Sequence, residues 1–306
     1  GSIDDDEYGH IPSDSGGRAY ISIMRGCDNF CSYCIVPYTR GREASRRSAD
    51  IVREAAGLAS SGVREVTLLG QNVNAYGSRG GGDAAFPELL RMVAGVEGIK
   101  RVRFITSHPR DISEELICLF NDEPRLCRHM HLPVQSGSDA VLKKMGRGYA
   151  KKEYLAKVSR LKELYPDMAV TTDIIVGFPG ETEGDFKDTM DLVGEVRFDN
   201  IFSFTYSPRP GTPAAGFTGQ IPPEVKSERL KTLQETQKGI TTEKSRALVG
   251  KRVEVLVEGE SKSLPGAMSG RTSCNRIVNF PASKGLAGTL TDVIVTDAFF
   301  NSLMGV

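Results

Sequence analysis

The chain has 306 residues, 39 basic against 39 acidic, with 39% hydrophobic and 25% charged residues. That length allows one large α/β domain with a smaller one, and that composition describes an ordinary folded core. Zero net charge leaves any polyanion to be held by local basic patches, no apolar run reaches membrane-spanning length, and six cysteines in so long a chain do not make a stapled secreted scaffold.

Gly1-Ser2 reads as a tag remnant, and the acidic stretch through Gly17 as a flexible linker with no visible signal peptide. Apolar, β-branched runs at 19–24, 63–70, 101–106, 128–132, 169–176 and 199–206 predict strands. Amphipathic stretches near 45–61, 86–96, 113–121, 138–164 and 182–196 predict helices between them. Alternation of this kind implies βαβ units and a parallel sheet. Six units suit an open, partial (β/α)6 barrel whose site lies at the C-terminal ends of its strands. Near residue 220 the texture changes. Pro222-Pro223 opens a charged helical pattern to about 247, marked by Leu230, Leu233 and Ile240. Short strand-like runs at 251–258, 275–280 and 286–296 then predict a small all-β barrel. The expected organisation is a tag and linker over 1–17, a core over 18–247 and an end module over 248–306.

The loop after the first strand carries Cys27, Cys31 and Cys34 in a C-x3-C-x2-C run, with Tyr33 just before the last. Iron–sulfur clusters normally take four cysteines. Three in one loop imply a cubane with one iron left open to a small molecule. Zinc is the alternative, but structural zinc wants four Cys or His ligands in pairs. Cys118, Cys127, Cys274 and the four histidines supply no second pair. Later strand ends carry Gly70-Gln71-Asn72, then Gln135 in Pro133–Asp139, then Asp173 through Gly177. Side-chain amides such as Gln71, Asn72 and Gln135 can donate and accept at once, which suits a zwitterionic ligand. Gly177 would let backbone approach a flat base, and Asp173 could bind hydroxyls. Plainer readings stand beside these: an Asn that satisfies a βα turn, Ser136 or Ser138 as a helix N-cap, and Thr182 with Asp185 as a capping box. His108, His129 and His131 read as structural, and Cys118, Cys127 and Cys274 as buried or partly buried thiols. Basic residues gather at Arg40, Arg42, Arg46 and Arg47, again from Lys143 to Lys152 around Arg147, and at Lys251, Arg252, Arg271 and Arg276. They are either solvated faces or phosphate contacts.

Taken together, Cys27 to Gly41, Leu69 to Tyr76, Thr106-Ser-His-Pro109, His131 to Asp139, Ile175 to Glu181 and Ser207 to Pro213 resemble the radical S-adenosylmethionine (SAM) methylthiotransferases. Within that group the chain most resembles the MiaB type, which makes 2-methylthio-N6-isopentenyladenosine at position 37 of tRNA. Gly270 to Phe280 resembles the TRAM module, an RNA-binding β-barrel. The resemblance implies a [4Fe–4S] cluster on Cys27, Cys31 and Cys34, completed by SAM. It implies Tyr33 near the SAM adenine and polar contacts from Gln71, Asn72, Gln135, Asp173 and Gly177. It implies a 5′-deoxyadenosyl radical acting on C2 of the adenine, with no catalytic side chain assigned. Arg40, Arg42, Arg147, Arg271 and Arg276 become candidate RNA contacts. The implied partners are a tRNA anticodon stem-loop and a flavodoxin- or ferredoxin-like electron donor, for a cytoplasmic monomer with no membrane contact. The family also carries an N-terminal domain with a second [4Fe–4S] cluster. No second cysteine trio occurs here, so the chain is expected to be a fragment without that domain, unable alone to complete thiolation. Competing expectations are a methylthiotransferase acting on threonylcarbamoyl-adenosine tRNA or on ribosomal protein S12, and a non-catalytic Fe–S or RNA-binding fragment.

Overall fold

A computed structural model describes residues 17–78, 81–282 and 284–306. The segment expected as tag and linker lies, through residue 16, outside the described residues. Strand β1 (Arg18–Ser22) is followed by the two-residue β2 (Met24–Arg25), the single-turn α1 (Val36–Thr39) and β3 (Ala44–Ser45), which pairs antiparallel with β2. The alternation then runs α2 (Ser48–Ser60), β4 (Glu65–Leu69), α3 (Phe86–Ala94), β5 (Arg101–Phe104), α4 (Glu114–Asp122) and β6 (His129–His131). It continues through α5 (Asp139–Met145), α6 (Lys151–Leu164), β7 (Ala169–Val176), α7 (Glu183–Val196) and β8 (Asn200–Thr205). The long α8 (Pro223–Arg246) leads to β9 (Arg252–Glu260), β10 (Ala267–Thr272), β11 (Ile277–Pro281), β12 (Leu290–Ala298) and β13 (Leu303–Gly305).

Strands β1, β4 and β5 pair in parallel, and so do β6, β7 and β8. A bridge between Val102 and Leu126, with the Cys127 N–H donating to the Val102 carbonyl at 3.0 Å, joins the two halves. The strands therefore stand in chain order as a partial (β/α)6 barrel. Their period of two separates its faces. Val66, Leu68, Val102, Phe104, Met130, Val170 and Ile174 pack with Leu89, Phe120, Leu161 and Leu192 of the helices in one core. The alternate residues, among them Glu65, Arg103, His129, His131, Thr171 and Phe202, face the lumen.

At the N-terminal end of the strands the lumen is closed by charge. Glu65 is fully buried, accepts from Arg103 Nε at 2.9 Å, and has Arg18 Nε at 3.3 Å and Arg101 Nη1 at 3.9 Å. The two arginines of β5 continue outward into the end barrel. Arg103 donates to the Ser273 and Thr272 carbonyls at 2.8 and 2.6 Å, and Arg101 to the Arg271 carbonyl at 2.8 Å and Glu254 at 2.7 Å. The closed barrel, ordered β10-β11-β13-β12-β9, thus seats on the end of the core opposite the cysteine loop.

Two differences from the sequence expectations have plain causes. The helix predicted over 138–164 divides into α5 and α6, because Gly146 takes a left-handed φ of 71° and caps α5. Strands β10 and β13 were not anticipated. The first lacks a β-branched apolar run, and a Cβ on Gly270 would meet the Leu256 carbonyl oxygen at 2.2 Å, so glycine there serves close strand approach rather than a turn.

Candidate functional site

The cysteine loop is clamped at the C-terminal end of the core by backbone bonds from three directions. The Cys27 N–H donates to the Gly41 carbonyl at 3.3 Å, Ser32 N–H to the Met145 carbonyl at 2.9 Å, and Ala214 N–H to the Ser32 carbonyl at 2.8 Å. Gly26 has φ 74°, and a Cβ there would lie 2.0 Å from the Arg42 carbonyl oxygen. Phe30, exposed at the loop tip, holds the left-handed φ of 47° that a bulky side chain rarely takes. All three thiols are free. Burial pushes the Cys27 thiol up to about 11 and also raises that of Cys34. Unaided, these two therefore stay protonated near neutral pH; a metal is what draws such thiols to thiolate. Behind Cys31 lies Arg147, 4% exposed, with Nη1 at 3.4 Å from both the Cys31 sulfur and the Tyr33 hydroxyl. Its other nitrogen donates to the Pro133 carbonyl at 2.7 Å. A fixed guanidinium beside a buried sulfur suits a thiolate ligand.

The donor set fits a cubane held by one loop. Among the described residues, no three His, Cys, Asp or Glu side chains stand close enough to share one metal ion. That limit applies to a single ion; a four-iron cluster spreads its thiolates over separate irons.

The other sequence candidates fall into distinct classes. Asn72 is 1% exposed and committed: its amide donates to Asp111 at 2.7 Å and accepts from the His108 N–H at 3.1 Å. Gln71 keeps a buried Oε1 without a partner, and Asn74 has neither amide atom paired. Asn74 was not singled out in the sequence, where the two Asn residues of one loop look alike; the single 3-10 turn over Val73–Ala75 separates them. Gln135 sits at φ 75°, its carbonyl and N–H bonded to Ile175 and Asp173, a strained position of the kind found at functional loops. Asp173 lies 3.4 Å from His131 Nε2. Gly177 needs its left-handed φ of 71°, and its N–H is taken by Glu181 at 2.9 Å, so no donor is left over for a ligand. Tyr33 packs against the small cluster of Val141, Met145, Phe178 and Tyr206. Ser138, rather than Ser136, caps α5, and Thr182 with Asp185 forms the capping box of α7.

The basic candidates divide sharply. Arg40 and Arg42 are exposed on the rim beside the cysteines, where Arg42 also covers the Phe30 ring at 5.0 Å. Arg147 is corrected: it is buried behind the cysteines and cannot reach a phosphate backbone. Arg276 donates to Asp199 at 2.9 Å and Ser245 at 2.8 Å and ties the end barrel to the core. Arg271 is half-buried and paired with Glu258 at 2.9 Å. Cys118 is exposed, against the expectation of a buried or partly buried thiol, whereas Cys127 is buried. No helix among the described residues is long and apolar enough to cross a membrane.

Comparison with known proteins agrees with this geometry. Residues 21–193 match the Radical SAM superfamily, and residues 246–306 match the TRAM domain. The tRNA-2-methylthio-N(6)-dimethylallyladenosine synthase of Geobacter sulfurreducens is 50% identical over 309 residues, covering 100% of this chain and 69% of that protein. The chain belongs to the radical-SAM methylthiotransferases. A synthase of the same name from Syntrophus aciditrophicus is 51% identical, covering 96% of this chain and 64% of its own length. Another from Geotalea uraniireducens is 52% identical, covering 95% and 66%. The chain thus spans about two thirds of the curated relatives it matches. Among solved structures, the radical SAM methyltransferase TsrM of Kitasatospora setae superposes with a TM-score of 0.55 at 21% identity, covering 65% of this chain and 39% of that one, and so shares its fold.

Proposed function

We propose that Cys27, Cys31 and Cys34 hold a [4Fe–4S] cluster that SAM completes, and that this methylthiotransferase serves in methylthiolating C2 of N6-isopentenyladenosine-37 in tRNA. The core over 18–247 carries that chemistry and the module over 248–306 assists RNA binding, with reduction by a flavodoxin- or ferredoxin-like donor. The observation that carries the reading is the clamped loop of three free thiols at the mouth of a parallel barrel. When bound, the reduced cluster supplies the electron that cleaves SAM. The chain's own part is positioning. Arg147 holds the Cys31 sulfur and the Tyr33 hydroxyl in place, the unpaired amides of Gln71 and Asn74 offer contacts to the amino-acid end of SAM, and Asn72 fixes their turn by gripping Asp111 and His108. An adenine in an anticodon loop is already displayed outside a regular duplex, which lowers the cost of delivering it to the mouth.

Anaerobic loading with iron and sulfide, followed by reduction with SAM and an isopentenylated anticodon stem-loop, tests the reading. The expected result is an EPR signal perturbed by SAM together with formation of methionine and 5′-deoxyadenosine. Stoichiometric zinc with no bindable iron overturns it. Arg42→Ala should weaken binding of any RNA stem-loop and reduce the salt slope of log K by about 1, as loss of one phosphate contact does; an unchanged slope removes Arg42 from the interface.

A further inference from the structure

The segment that bears the cysteines also bears two aromatic rings that the core does not use. Phe30 directly precedes Cys31 and is 42% exposed; Tyr38, in α1 four residues after Cys34, is 54% exposed. Neither belongs to a hydrophobic cluster among the described residues. The rings meet edge to face, with centroids 6.2 Å apart and planes at 84°, and the Arg42 guanidinium lies over Phe30 at 5.0 Å. Phe30 holds its left-handed φ of 47° at a cost that Gly or Asn would largely avoid, so backbone geometry gives no reason for a phenyl ring at this tip. Charge is uneven here as well. Between residues 25 and 42 stand Arg25, Arg40 and Arg42, all exposed, against a single acid, Asp28, in a chain whose net charge is zero. Asp28 pairs with Arg42 at 3.3 Å, and the tip as a whole stays basic.

We propose that this tip, an aromatic pair bordered by arginines, is the docking surface for an acidic one-electron carrier protein. This rests on the function proposed above, in which the cluster must be reduced, and adds where the electron enters. An electron delivered here has only the cysteine loop itself to cross before it reaches a cluster on Cys27, Cys31 and Cys34. The carrier is oxidised by one electron and the cluster reduced by one, and no bond is made or broken. Encounters between redox proteins are small and brief, so a compact apolar contact with a charged border that steers approach suits them. The sign of that border selects a partner whose own surface is acidic. The geometry favours a protein over RNA at this tip. A base stacks on an open ring face, whereas Arg42 covers Phe30 and the two rings stand nearly at right angles, which makes a knob rather than a platform.

The test compares two reductants on the chain loaded anaerobically with iron and sulfide: flavodoxin in its hydroquinone form, and dithionite, which needs no docking surface. Stopped-flow absorbance reads the rate of each. Tyr38→Ala and Phe30→Asn, the latter a residue that tolerates the left-handed backbone, should each slow reduction by flavodoxin about fivefold. Arg40→Glu should slow it roughly tenfold at low salt, with the difference closing as salt is raised. All three variants should keep the iron content, the SAM-perturbed EPR signal and the dithionite rate of the wild type. Equal slowing with both reductants marks a damaged loop and overturns the inference. So does a wild-type chain that dithionite reduces and flavodoxin does not. Unchanged flavodoxin rates in all three variants overturn it while leaving the proposed function standing. Loss of stem-loop affinity with the flavodoxin rate intact assigns the tip to RNA and has the same consequence. A chain that binds no iron overturns both.

Discussion

Cys31→Ala is expected to abolish iron binding outright while the protein stays folded. Cys31 is the one cluster-loop thiol that is buried, 6% exposed, and among the described residues the only one with a guanidinium hydrogen-bonded to its sulfur. Removing the sulfur takes away one of three ligands from a site that already depends on SAM to complete its fourth iron, and two thiolates do not retain a cubane. The structural cost is small by comparison, about 1 kcal/mol, since alanine keeps the Cβ and most of the packing. Arg147 also keeps its bonds to the Pro133 carbonyl at 2.7 Å and the Tyr149 hydroxyl at 3.0 Å, so no buried charge is stranded. Iron analysis after anaerobic loading, paired with a thermal melt of the unloaded protein, separates the two effects. Retained iron in the variant removes Cys31 from the ligand set. An unfolded variant instead shows that the loop is held by the thiol rather than by its backbone bonds.

Legibility in the sequence followed how local each interaction is. The cysteine trio is a feature of eight consecutive residues, and the parallel barrel is written in the alternation of β-branched runs with amphipathic ones, so both were readable before any coordinates. The capping box at Thr182 and Asp185 was readable for the same reason. Roles set by distant partners were not. Arg147 looks in the chain like one more cation of a basic run, and only the approach of the loop ending α5 to the cysteine loop buries it. Asn72 and Asn74 are two residues apart in one motif, yet Asp111 claims the first and nothing among the described residues claims the second. Gly177 was read as room for a flat base; its left-handed backbone and its bond to Glu181 show that the same glycine also makes a turn. A partial signal for the barrel floor was present, since Arg101 and Arg103 alternate with Val102 and Phe104 at the strand period. Such alternation places two charges on one face of a strand whose other face is core, and in a barrel that face is the lumen.

Glu65→Ala should be the most destabilising single substitution at the seam between core and end barrel. The carboxylate is wholly buried and lies within reach of Arg18, Arg101 and Arg103, the latter two each 4% exposed. Its loss would leave Arg103 without its carboxylate partner and Arg18 and Arg101 with only the more exposed Glu258 and Glu254. Breaking a buried ion pair from one side costs about 3–5 kcal/mol, because the surviving charge remains desolvated. For a domain of this size that corresponds to a fall in unfolding midpoint on the order of 10 °C. Glu254→Ala provides the contrast. That side chain also pairs with Arg101, at 2.7 Å, but is 56% exposed, and an exposed pair is worth about 0–1 kcal/mol. Because Arg101 and Arg103 also donate to carbonyls of 271–273, repulsion among the arginines is transmitted to the docked barrel. Glu65→Ala should therefore open the turn between α8 and β9 to protease at temperatures where the wild type resists, and Glu65→Gln, which keeps an acceptor for Arg103, should fall between. Equal melting of Glu65→Ala and Glu254→Ala would mean that water reaches the barrel floor, and that the seam is held by the bonds of Arg276 to Asp199 and Ser245 rather than by the buried carboxylate.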